Sequence, residues 1–111
     1  MTKTLELYSF TFVTDLSLAE ILQCLRAQGV WEWIERDSDR WGDYISTSGL
    51  QDAIVKVFDG EPNPGKFTAN VKFESDASDA AYRRKAIRET LLTETLPAIG
   101  ARAVTEGEYL E

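Results

Sequence analysis

The clearest pattern in the chain is a strict alternation over residues 66–74: Phe67, Ala69, Val71 and Phe73 fall on one side of an extended strand, and Lys66, Thr68, Asn70, Lys72 and Glu74 on the other. A period of two with one polar side predicts a strand of an antiparallel sheet, packed on one face and wet on the other. Residues 4–13 are equally rich in β-formers, but their phase slips, with Leu5 and Leu7 on odd positions and Tyr8, Phe10 and Phe12 on even ones. That slip predicts a central strand covered partly on both faces, or a bulge near Leu7.

Over residues 17–28 the period changes. Leu18, Ile21, Leu22 and Leu25 recur at helical spacing behind a capping box of Ser17 and Glu20, and Gly29 supplies the stop. Residues 31–48 read as two short strands around an Asp-Ser-Asp-Arg turn, residues 51–59 as a strand, and residues 60–65 as a loop punctuated by Pro62 and Pro64. A second helix is expected to start between Asp76 and Asp79, whose acids suit the positive end of the helix dipole, and to run toward Leu96 before Pro97 and Gly100 close it. A last strand spans residues 102–109. The order β-α-β-β-β-β-α-β implies an α+β fold, an antiparallel sheet with two helices on one face. It is the ferredoxin-like plan or an elaborated variant of it, with the 31–48 hairpin as the addition. At 111 residues the chain is read as one domain, 1–111, large enough to fold on its own core.

Composition removes many chemistries. The chain has no histidine and a single cysteine, Cys24, which excludes histidine-based triads, histidine zinc sites, Cys-rich zinc sites and an internal disulfide. Carboxylate, lysine, tyrosine or lone-cysteine chemistry survives, as does oxygen-only binding of magnesium or calcium. Cys24 itself, beside Ile21 and Leu25 on the first helix with no evident base, reads as a small, partly buried hydrophobe. No apolar run is long enough for a signal peptide or a membrane span, so a cytoplasmic location and no membrane contact are expected.

Net charge is −7 and unevenly spread: residues 15–61 hold ten acids against four bases, whereas residues 62–111 hold eight against seven. Arg83, Arg84, Lys85 and Arg88 gather on the second helix, where Lys85 and Glu89 are spaced to pair. A run of this kind usually forms a solvated helix face; phosphate or the acidic half of a second copy are the functional alternatives.

Two motif comparisons fail on inspection. Residues 66–73 match the third-strand signature of the RNA recognition motif at Lys66, Ala69, Val71 and Phe73, but Thr68 and Asn70 stand where bases would stack on aromatics. With the negative charge, direct nucleic-acid binding is not expected. Asp37, Asp39, Gly42 and Asp43 copy part of a calcium loop, yet Trp41 and Ser48 occupy two positions that need oxygen donors of another kind. A β-turn explains these residues without a metal.

All three tryptophans, Trp31, Trp33 and Trp41, fall within the acidic stretch 31–44. Trp31 and Trp33 are two apart and point to one side of a strand, and Trp41 and Tyr44 are expected to come alongside across the turn. Facing the helices they are core; facing solvent they form an aromatic patch rimmed by acids, and aromatics are common binding anchors. The expected site is therefore Trp31, Trp33, Glu35, Asp37, Asp39, Trp41, Asp43 and Tyr44. The function expected of it is non-catalytic protein binding: an acidic inhibitor or regulator docking on a basic, nucleic-acid-handling protein, as immunity proteins and phage anti-defence proteins do by analogy of type. No cofactor or metal is called for, and a homodimer is a further option. The alternative is a ferredoxin-like small-molecule or enzymatic domain, with a pocket between sheet and helices where Tyr8, Tyr44, Tyr82 or a carboxylate acts.

Overall fold

Local chemistry accounts for the ends of the first helix. In the computed structural model, which describes residues 4–38, 42–59 and 65–109, Ser17 Oγ accepts from the Glu20 amide at 3.2 Å and Glu20 Oε1 accepts from the Ser17 amide at 3.0 Å. Two otherwise orphaned donors are thereby satisfied. At the other end Gly29 adopts φ 72°, the left-handed conformation in which glycine avoids a Cβ penalty. The helix between them is α1 (Leu18–Gln28).

Around it lie β1 (Thr4–Val13), β2 (Glu32–Ser38), β3 (Gly42–Ser48), β4 (Ala53–Asp59), β5 (Lys66–Ser75), α2 (Ala80–Thr90), a π-helical turn (Leu91–Thr95), the short α3 (Leu96–Ala98) and β6 (Arg102–Gly107). The second helix thus continues to Ala98 through a widened turn. Pro97, which cannot donate a backbone hydrogen bond, comes two residues after Thr95, and the Leu96 amide reaches back to the Leu91 carbonyl.

The strands form one six-stranded sheet in the order β2-β3-β4-β5-β1-β6, and each neighbouring pair is antiparallel. The expected α+β antiparallel sheet with two helices is present. Within it β1 lies between β5 and β6 and is antiparallel to both.

Register explains the phase slip in β1. Thr4 to Val13 pair with Ser75 to Lys66 without a break, so there is no bulge against β5 near Leu7. Tyr8, Phe10 and Phe12 face the helices and are buried, whereas Leu5 and Leu7 face the other way at 56% and 41% exposure. The expected wet side of β5 is only partly wet: Lys66 and Lys72 are exposed, but Thr68 and Asn70 are buried.

The core is built on the inner face. Tyr8, Phe10 and Phe12 of β1, Val55 and Val57 of β4, and Phe67, Ala69 and Val71 of β5 meet Ile21, Leu22 and Leu25 of α1 and Leu91, Leu96 and Ile99 of the C-terminal helical run. Burying apolar surface of this kind contributes about 25 cal/mol per Å² and drives the collapse. Around the margin the basic run of α2 is neutralised within the molecule. Arg83 pairs with Asp52 at 2.6 Å, Arg84 with Glu6 at 3.2 Å, Lys85 with Glu89 at 3.9 Å, and Arg88 with Glu106.

Candidate functional site

Strand β2 pairs with β3 along its whole length, from Glu32 opposite Ser48 to Ser38 opposite Gly42. Gly42, at φ 69°, takes the left-handed conformation at the start of the returning strand. Pairing of β3 with β4 covers only Tyr44 to Ser46, and the Thr47 hydroxyl then takes the Val55 amide at 3.0 Å. Asp37 and Asp43, at the tip end of the hairpin, therefore lie beyond its last pairing with β4.

The period of two distributes the expected site residues over both faces. Trp33, 3% exposed, belongs to the core cluster, and half-buried Trp31 packs against it, their ring centroids 6.2 Å apart and the planes tilted by 50°. The two tryptophans share a side, and it is the helix side. The Arg26 Nε of α1 donates to the Trp33 carbonyl at 3.1 Å, tying the helix to the strand. Trp33 offers a partner no surface.

Glu35, Asp37 and Asp43 follow on that same face and are exposed. Asp37 stands directly opposite Asp43. Two like charges facing one another across an antiparallel pair are destabilising. A cleft of about 190 Å³ separates Glu35, Asp43 and Ile45 from Leu18 and Ala19 in the first turn of α1. The positive end of that helix's dipole offsets part of the local negative charge. The six ion pairs among the described residues all lie outside the hairpin, and Glu35, Asp37 and Asp43 are in none of them.

Tyr44 departs from expectation. It sits opposite Arg36 and beside Phe58 on the outer face, away from the tryptophans, with Lys56 Nζ 5.8 Å from its ring centroid. Asp43 and Tyr44 are adjacent in a strand, so only one of them can share a side with Trp33. Asp39 and Trp41 lie outside the described residues.

A second polar cluster went unnoticed as a unit in the sequence. Between α2 and β1, a groove of about 620 Å³ is lined by Glu6, Tyr8, Arg84, Lys85, Arg88 and Glu106 among others. Arg88 stacks over the rings of Tyr8 and Phe10, 5.1 and 5.2 Å from their centroids, and holds Glu106 through both guanidinium nitrogens. Burial first, and then the nearby Glu6 charge, pushes the Tyr8 phenol up to about 12. The Arg88 hydrogen bonds hold the Glu106 carboxyl below its usual range. Tyr8 and its neighbour Glu6 were visible in the sequence; their approach to Arg88 and Glu106, far along the chain, was not.

Comparison with protein-family models gives no match, and comparison with curated proteins gives none either.

Proposed function

We propose that this chain is a non-catalytic protein-binding module whose acidic β2–β3 hairpin docks on a basic surface of another protein. The observation that carries the reading is the hairpin's exposed acidic face. Glu35, Asp37 and Asp43 share one exposed face without ion pairs among the described residues, two of them directly opposed, while the α2 cations Arg83, Arg84, Lys85 and Arg88 are all paired internally. A fold gains nothing from facing carboxylates, and a cation delivered by a partner would relieve their repulsion. Proteins that handle nucleic acids present basic surfaces made to meet rows of negative charge. That match supports an inhibitor or regulator of such a protein, with Asp39 and Trp41, between the two strands in sequence, as further candidates for contact.

The reading is tested by affinity capture from the native host with the wild-type chain and with the Glu35→Gln, Asp37→Asn, Asp43→Asn variant. A basic protein retained by the wild type and lost by the variant is the expected result. A partner retained equally by both places the docking surface elsewhere.

A second reading rests on the groove at Tyr8. Its phenol, with a pKa near 12, stays protonated at neutral pH, and beside two arginines it is equipped to donate a hydrogen bond to a small anionic ligand rather than to act as a base.

A further inference from the structure

Three large aliphatic side chains are exposed together on the outer face of the sheet. Leu5 and Leu7 of β1 and Ile54 of β4 are 56%, 41% and 45% exposed, whereas the other exposed large hydrophobics lie on separate elements. Strand β5 runs between them and contributes Lys72, opposite both Leu7 and Ile54, and Glu74, opposite Leu5. Lys72 Nζ and Glu74 Oε2 are 4.0 Å apart, with side chains 51% and 38% exposed. Grooves of about 360 and 310 Å³ flank β5, one reaching Leu50 and Ile54 and the other reaching Leu5, Leu7 and Tyr109, and both are lined by Lys72 and Glu74. Exposed aliphatic side chains on either side of a strand that carries one cation and one anion make a surface that can complement itself, which is what an isologous two-fold contact requires.

We infer that this outer-face patch is a homodimer interface in which a second copy of the chain packs sheet on sheet. Charge selects the orientation. A two-fold axis along β5 would set Lys72 over the partner copy's Lys72 and Glu74 over its Glu74, which repel. An axis across the strands, midway between residues 72 and 74, sets each Lys72 over the other copy's Glu74 and brings Leu5 and Leu7 of one copy over Leu7 and Leu5 of the other. Sheets packed in this way lie roughly 10 Å apart, within reach of both long side chains. The surface is separate from the acidic hairpin and the inference does not rest on the function proposed for it.

Sedimentation equilibrium on the intact chain, on Lys72→Glu, on Glu74→Lys and on the double exchange tests the arrangement. The wild type is expected to dimerise in the range from on the order of 1 μM to 1 mM. Each single exchange places like charges opposite one another twice per dimer and is expected to weaken association by roughly tenfold or more. The double exchange restores opposite charges and is expected to recover most of the loss. A wild type that stays monomeric throughout, a dimer indifferent to the single exchanges, or a double variant no better than the singles would each overturn the inference. Both positions of substitution are at least partly exposed in the monomer, and circular dichroism checks that each variant is folded.

Discussion

Trp33 and Asp37 stand four positions apart on one face of β2, yet the first is buried in the core and the second is exposed. The two roles are separable by substitution. Trp33→Ala removes a large core side chain and is expected to cost about 3–5 kcal/mol of stability in urea denaturation. Glu35→Gln, Asp37→Asn and Asp43→Asn together remove repulsion without opening a cavity, and are expected to leave stability within about 0.5 kcal/mol of the wild type or to raise it. A different residue-scale cost lies in the π-helical turn. The Thr95 hydroxyl is buried with no hydrogen-bond partner among the described residues, and the Leu91 carbonyl four residues back accepts from the Leu96 amide. An unsatisfied buried hydroxyl costs about 1–3 kcal/mol, so Thr95→Val, which keeps the shape, is expected to stabilise the protein by about 1 kcal/mol and raise Tm. An unchanged or lower Tm would mean that the hydroxyl finds a partner in solution.

Among the elements, β6 depends most on surface charge. All six of its residues are exposed, its pairing with β1 shifts register between Thr11 and Val13, and Ala103 adopts φ 53°. Arg88 holds Glu106, and Arg102 holds Asp15 at 3.1 Å. Hydrogen bonds from those arginines lower both carboxyls from the ordinary values of 4.5 and 3.8. A depressed folded pKa makes a contribution that is complete above the ordinary value and is lost as pH falls below it toward the folded value. Amide protection in β6 is therefore expected to fall below pH 4.5 before that of the β1–β5 ladder, as read by hydrogen exchange. Uniform loss across the sheet would contradict this. The elements themselves were legible in the sequence because their signals are local: the Ser17 and Glu20 box, the left-handed Gly29, the alternation of β5. Strand neighbours were not. Alternation tells which side of a strand is apolar but not which strand lies beside it, and the placement of β1 between β5 and β6 depends on contacts roughly fifty to a hundred residues away. The candidate site was half legible for the same reason. Period-two spacing put Trp31 and Trp33 on one side, but exposed Leu5 and Leu7 show that an apolar side chain on a strand need not mark the inner face, so the direction of that side stayed open.

Across the whole molecule, charge is sorted rather than spread. The cations of α2 close onto acids of β1, β6 and their own helix and onto Asp52, while Glu35, Asp37 and Asp43 of the β2–β3 hairpin stay exposed and outside these ion pairs. The hairpin and the Leu5, Leu7 and Ile54 patch lie on different strands and opposite faces of the sheet, so docking a partner and pairing with a second copy need not compete. A net charge of −7 adds a long-range field to the local one, and association of oppositely charged surfaces is steered by such fields and screened by salt. The most direct test is the association rate constant between this chain and the protein it captures, measured by stopped-flow fluorescence as ionic strength rises. The account predicts a fall of about tenfold or more between low and high salt for the wild type, and a slower, flatter profile for the Glu35→Gln, Asp37→Asn, Asp43→Asn variant. A rate that does not change with salt and is the same for both proteins would contradict it.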